Sequence, residues 1–474
     1  MAQSQETNIK KSVVRDLTEG SPMKLILGFM LPLLLGLLFQ QMYNMADTVI
    51  VGRYLGMNAL AGVGSTGAVN FFVIGFVIGI CTGFSIPIAQ KFGLKDYSAL
   101  RKYAGNTLWV CIFFAVLLTT AVCILCPKIL TAMRTPEEVF NEAYDYIFII
   151  FLGIPASFLY NSLSGIIRSL GDSKTPVIIL VISSLVNIGL DILLIAVLGA
   201  GVWGAALATV SSQLVSGLIC LGVIVKRFDI LKLSKGDLVP DLRYIGSLCA
   251  SGIPMGLQYS ITAIGTILIQ SAVNSLGPST MAAVTSASKV SQFMCCPFDA
   301  MGSTMTVYGG QNIGAGKYER VKKGLLDCCI LGVIWALTAL CIVLLFGEQL
   351  VSMFIDRNNI EEGADIDTVI SLGRHFLVIN ASFYWAVAFV NIVRFLIQGM
   401  GFSQIALFAG IFELAARAAA ALKAVPLFGF DGVCAASPAA WILADIFLIP
   451  AFFACFKYAA KKHTKKIQTA KESA

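Results

Sequence analysis

The sequence predicts an all-α polytopic membrane protein of twelve transmembrane helices in two pseudo-symmetric six-helix lobes. Three observations carry that expectation: the residue mix, the alternation of charge between loops, and an internal duplication. Of 474 residues, 57% are hydrophobic and only 13% charged, against about 25% charged in soluble domains. Mean hydropathy is +0.82. Such a shortage of charge leaves most of the surface facing something other than water. A helix crosses a bilayer with about 20 apolar residues, and twelve such stretches use a little over half of this chain. Runs such as 177–198 and 325–346 are continuously apolar, unlike the alternating segments of about 10 residues in an outer-membrane barrel.

Taken in order, residues 1–21 form a polar tail without the apolar stretch of a signal peptide, so the first apolar run is a retained helix. Lys10, Lys11, Arg15 and Lys24 mark the start of that span, 22–46. The second, 57–90, ends at Lys91, Lys95, Arg101 and Lys102. The third, 103–126, leads to Glu137, Glu138 and Glu142, and the fourth, 144–168, to Arg168 and Lys174. Spans five and six, 176–198 and 204–225, lead to Lys226, Arg227, Lys232, Lys235 and Arg243. Here the chain divides into an N-lobe, 22–228, a polar linker, 229–243, and a C-lobe, 244–458. Spans seven and eight, 244–274 and 281–311, end at Lys317, Arg320, Lys322 and Lys323. The ninth, 324–346, leads to acidic Asp356, Glu361, Glu362, Asp365 and Asp367. The last three, 369–398, 404–425 and 433–456, run into a basic tail, 459–474, preceded by Lys457. Basic loops on one side and acidic loops on the other place both termini in the cytoplasm, with the protein in the plasma or inner membrane. The net charge of +7 is thereby a topology signal, and nucleic acid is not an expected partner.

Other chemistries are poorly supported. The 13 cysteines lie mostly within apolar runs, and Cys295–Cys296 and Cys328–Cys329 are adjacent rather than spaced as ligands. The two histidines, His375 and His463, have no ligand partner in sequence, so neither a resident metal nor another cofactor is expected. GAGK at 314–317 resembles a phosphate loop only faintly. Gln311 stands where the first glycine belongs, and Tyr318 replaces the Ser or Thr. Energy for any transport must come from an ion gradient or a partner.

The duplication appears on sliding the chain by about 222 residues. Pro32, in GFMLPLLLG, then meets Pro254, in SGIPMGLQ. Gln90, Gly93, Tyr97 and Lys102 meet Gln311, Gly314, Tyr318 and Lys323. Further on, RSLGDSK (168–174) faces QGMGFSQ (398–404), and GVWGAALAT (201–209) faces GVCAASPAA (432–440). Six spans per half relate the halves by an axis along the membrane normal, as in secondary transporters with a site between repeats.

Ionisable groups inside the bilayer are costly and need a reason. Asp47 lies late in span one, with Gln40, Tyr43 and Asn44 one and two turns away. Asp191 lies in span five, with Asn187 four residues before it on the same face. Neither span offers a Lys or Arg nearby. Asp47 is either a helix-end cap beside Arg53 or, with Asp191, part of a buried carboxylate and amide cluster that takes up H+ or Na+. In the second half Arg417 stands at the repeat-equivalent of Asn187, and Glu413 four residues earlier suggests an ion pair. Lys289, Asp299, Arg394 and Asp445 are expected to pair across helices, with Asp299 or Arg394 alternatively touching substrate. Pro32 within span one removes a backbone hydrogen bond and permits a bend.

The residues resemble the multidrug and toxic compound extrusion (MATE) transporters over about 21–457. The most specific pieces are MADTVIVGRYLG, the stretch 168–176, Asn187 with Asp191, and GVWGAALAT. The likeness is greatest to the DinF-like and MepA-like bacterial branch. It implies an N-lobe cation site of Asp47, Asn187, Asp191 and Thr209, Pro32 as the bend of helix one, and no enzyme activity. Thr262 stands where the NorM-like branch has a Glu, so the resemblance implies coupling in the N-lobe.

The function expected is export of amphipathic, often cationic organic compounds by antiport with H+ or Na+, by a monomer, through alternating access. Gln40, Tyr43, Asn161, Gln258 and Asp299 are the candidate cavity residues. The alternative is a flippase for lipids or lipid-linked oligosaccharides, which an Arg- and Lys-rich cavity would favour. A membrane-embedded enzyme would need catalytic residues at a membrane face, and none stands out.

Overall fold

In a computed structural model describing residues 14–133, 135–355 and 366–472, the chain is helical, with no strand among those residues. Lys10, Lys11, Asp356, Glu361, Glu362 and Asp365 lie outside the described residues, as do the side chains beyond His463. Nine helices are long and apolar enough to cross a membrane, and two bent pairs bring the number to eleven. The N-lobe holds α1 (Pro22–Gly56), α2 (Asn58–Gly93), α3 (Tyr97–Ala132), α4 (Glu137–Leu152 with Ile154–Ser169), α5 (Lys174–Val197) and α6 (Gly201–Arg227). In the C-lobe are α7 (Leu242–Asn274), α8 (Pro278–Gly314), α9 (Tyr318–Ser352), α10 (Ile366–Ser382 with Tyr384–Gly399), α11 (Ser403–Phe428) and α12 (Phe430–His463). The twelfth, α8, is long enough to span at about 1.5 Å per residue. Its many Ser, Thr and Gly residues keep it less apolar than the rest.

Three features depart from the expected spans. First, α1 continues ten residues beyond 46 and turns only at Gly56, where φ is +84°, a conformation open to glycine at little cost. Second, α4 and α10 are each broken, by 47° and 50°. Pro155, which cannot donate a backbone hydrogen bond, follows the α4 break at Gly153, whereas no proline explains the break at Phe383 in α10. Third, α5 passes into a π-helical turn at Ile192–Val197 and α11 into another at Ala420–Ala424. These bends and turns fall at repeat-equivalent places, so the two-fold relation extends to the backbone.

The hydrophobic cores separate by lobe with one exchange. Ile26, Phe29 and Leu33 of α1 pack into the C-lobe core, while Leu248 of α7 packs into the N-lobe core. The seam between lobes is a close crossing of α2 and α7. A Cβ added at Gly79 or Gly83 would overlap the α7 backbone at Met255–Gly256 or Ser251–Gly252, the small-residue contact that lets membrane helices approach.

The basic loops gather at one end of the bundle. Tyr318 donates to Ala459 O at 3.0 Å, Arg320 to Gly20 O at 2.8 Å, and Arg101 pairs with Asp237 of the linker at 3.6 Å. The lobes are bonded to each other at this end through Gln90 to Gly399 O and Gln311 to Ser169 O.

Candidate functional site

Side chains from α1, α4, α5 and α6 converge in the N-lobe. Tyr43 and Asp47 stand one turn apart on α1, as do Asn187 and Asp191 on α5. Both α5 residues are completely buried. With its amide oriented to satisfy both neighbours, Asn187 Nδ2 donates to Asp191 Oδ2 at 3.1 Å and its Oδ1 accepts from Thr209 N at 3.1 Å. The Tyr43 hydroxyl lies near the Thr209 side chain of α6. The Asp47 and Asp191 carboxyl groups face each other within hydrogen-bonding reach. One oxygen of each, Asp47 Oδ1 and Asp191 Oδ1, is buried without a hydrogen-bond partner among the described residues.

This arrangement excludes the reading of Asp47 as a helix cap. The helix runs more than two turns beyond it, to Gly56. Two carboxylates held together repel each other unless a proton or a cation lies between them. Tyr146 of α4, buried and within electrostatic reach of Asp47, Tyr43 and Asp191, completes the wall. Sequence reasoning missed it because an aromatic residue in an apolar run looks like packing.

The C-lobe is built differently. Glu413 is shared by two guanidiniums: Arg394 of α10 bonds its Oε1, while Arg417 on its own helix stands 3.9 Å from Oε2. The expected Glu413–Arg417 pair is therefore the longer of two contacts. Asp445 is buried in α12 with neither oxygen hydrogen-bonded among the described residues. Asp299 accepts from Asn391 Nδ2 at 3.2 Å and stays exposed, although it lies deep within the protein. It therefore faces open space inside the bundle.

The other cavity candidates differ in freedom. Gln40 is exposed and Tyr43 half-buried. Asn161 donates to Ser157 O of its own helix at 2.9 Å, and Gln258 is buried and accepts from Gln398. Thr262 bonds the Gln258 carbonyl at 3.0 Å. Helix α1 keeps helical dihedrals through Pro32, since Gly56 is the single non-helical residue between Pro22 and Gly93. All 13 cysteines are free.

Twelve helices in two matched lobes define a multi-pass membrane protein of the repeat-built type found among secondary transporters. The chain belongs to the MatE family, whose model matches residues 32–193 and 254–420, one segment in each lobe. It is similar to the probable multidrug resistance protein YoeA of Bacillus subtilis (strain 168), with 29% identity over 383 residues, 79% of this chain and 83% of that one. YpnP of the same organism, also a probable multidrug resistance protein, is 27% identical over 396 residues, 81% and 83% of the two chains. In fold, the chain matches an outward-facing MATE family transporter of the MOP superfamily with TM-score 0.86. That match is 23% identical and covers 96% of this chain and all of the other.

Proposed function

We propose that the protein is a secondary active exporter of amphipathic, often cationic organic compounds, driven by antiport with H+ and working as a monomer. Both termini lie in the cytoplasm, following the basic loops. The observation that carries the reading is the pair of facing carboxyl groups, Asp47 and Asp191, each with a buried oxygen lacking a partner among the described residues. The names of the relatives support the cargo class. Taking up a proton removes repulsion between α1 and α5. Pro32 leaves the Gly28 carbonyl without its usual donor, so α1 can bend there and narrow the space beside Gln40 and Tyr43. Proton and drug then compete, and by linkage the antagonism is reciprocal. Asp299, open in the interior, offers a cationic cargo a second negative charge.

A flippase would present cations to the cleft. Arg394 and Arg417 are instead buried against Glu413, which favours the exporter. Inside-out vesicles test the proposal: an imposed pH gradient drives uptake of an organic cation, and Asp191→Asn abolishes it. Uptake driven by Na+ alone refutes the proton, and no uptake under either gradient refutes the exporter.

A further inference from the structure

At the basic end, two glutamines cross between the lobes in mirror fashion. Gln90, closing α2 in the N-lobe, donates its Nε2 to Gly399 O of the C-lobe at 3.0 Å. Gln311, closing α8 in the C-lobe, donates its Nε2 to Ser169 O of the N-lobe at 2.8 Å. These four residues are two repeat-related pairs, Gln90 with Gln311 and Ser169 with Gly399. The backbones around them touch in the same reciprocal way. A Cβ on Gly93 would overlap Gln311 O, and a Cβ on Gly314 would overlap Gln90 O. Each glycine thus lets the opposing glutamine's backbone settle against it.

A third component breaks the symmetry. The segment Val14–Gly20 lies over the clasp and is bonded to both lobes. Arg15 N donates to Leu170 O at 3.2 Å, and Arg15 O sits against Gly171. Leu17, wholly buried, donates its N–H to Gln311 Oε1 at 2.9 Å, and its carbonyl accepts from Asn312 at 3.2 Å. Lys317 holds Thr18 O at 3.0 Å. Gln311 therefore uses both ends of its amide, one on the opposite lobe and one on the strap.

We propose that Gln90 and Gln311 are the positioning residues of the gate at this end, a two-fold amide clasp that must open for the cleft to face the basic side. The segment Val14–Gly20 is a strap that reinforces the Gln311 half alone. Each amide bond is polar and spans the two lobes, the Gln311 bond buried and the Gln90 bond partly so, so breaking it needs only a small separation, while the fitted glycines make the closed position unique. The inference rests on the lobes rocking as an exporter's would.

Amide hydrogen exchange on the full-length protein in nanodiscs tests it with neither drug nor gradient, so it can fail while the export reading stands, and the reverse. Peptides over 86–96, 307–317 and 14–20 are followed. Gln90→Ala is expected to speed exchange at both helix ends about threefold to tenfold, the effect of one lost hydrogen bond, and to leave 14–20 protected. Gln311→Ala speeds it more and also releases 14–20. With residues 1–20 removed, the two substitutions become equal. Gln311→Glu, isosteric, keeps the acceptor for Leu17 N–H but loses the donor to Ser169 O. It should match Gln90→Ala with the strap still protected, and it serves if Gln311→Ala fails to fold. Unchanged exchange in Gln90→Ala, an excess for Gln311→Ala that survives strap removal, or strap release in Gln311→Glu would each overturn the proposal.

Discussion

Asp191 and Glu413 are both buried acids in membrane-spanning helices, yet their neighbours give them opposite work. Asp191 has Asn187 as its donor and a second carboxyl facing it, with no ion-paired cation among the described residues. Asp47→Asn and Asp191→Asn should each cut gradient-driven efflux from proteoliposomes by more than tenfold while leaving the fold intact. Thr262→Ala should stay within about twofold, because its hydroxyl only bonds its own helix. Glu413 is clamped by two guanidiniums and holds structure. Glu413→Ala leaves two cations buried without a counter-charge and should cost about 3–5 kcal/mol, read as a fall in the unfolding midpoint in detergent. Replacing Arg394, Arg417 and Glu413 together by Met, Met and Leu should restore most of that loss. A triple variant as unstable as Glu413→Ala would show that the ion cluster itself, not the orphaned charges, matters.

At the scale of the element, hydropathy made the helices legible but not their interruptions. Apolar runs between basic and acidic loops marked the twelve spans, α8 among them despite its polarity. The extra length of α1 escaped because MADTVIVGRYLG is mixed in polarity, so the apolar signal fades before the helix ends. The break in α4 had a cue in Gly153 and Pro155; the one in α10 had none, since Phe383 carries no dihedral signature. For the site, spacing paired Asn187 with Asp191 on one face, but only the fold brings Tyr43, Tyr146 and Thr209 around them. The linker offers a test of its own. Ser234 donates to Asp237 from its backbone at 2.9 Å and its hydroxyl at 2.7 Å. These bonds hold the Asp237 carboxyl below the usual carboxylate range, assisted by Arg101. A depressed pKa stabilises fully above the unfolded value of about 4 and is lost as pH falls through the folded value. Trp109 donates to Leu238 O at 2.8 Å, so its fluorescence, with the other tryptophans replaced, should change only below pH about 4. Asp237→Asn should abolish that transition; a transition that persists would assign it to another group.

The whole molecule is a duplicated design whose halves share backbone features and differ in chemistry. Bends, π turns and glutamines recur, whereas the facing acids of the N-lobe have an Arg–Glu–Arg cluster as their C-lobe counterpart. The proposed orientation is testable directly. A reporter active only outside the cytoplasm should give signal when placed in 355–367 and none when fused after Lys466; signal from the latter would invert the topology. The strap also bears on how the protein is made. Its polar partners Gln311, Lys317 and Arg320 lie about 300 residues downstream, so a ribosome delivers the N-lobe well before they exist. Until α8 inserts, Leu17 has nowhere to bury itself, and a chain stalled after the sixth helix exposes an apolar residue that the finished protein hides. Docking of the amino-terminal segment thus comes late in biogenesis, and a protease that cuts exposed Leu17 in the nascent chain would spare the completed one.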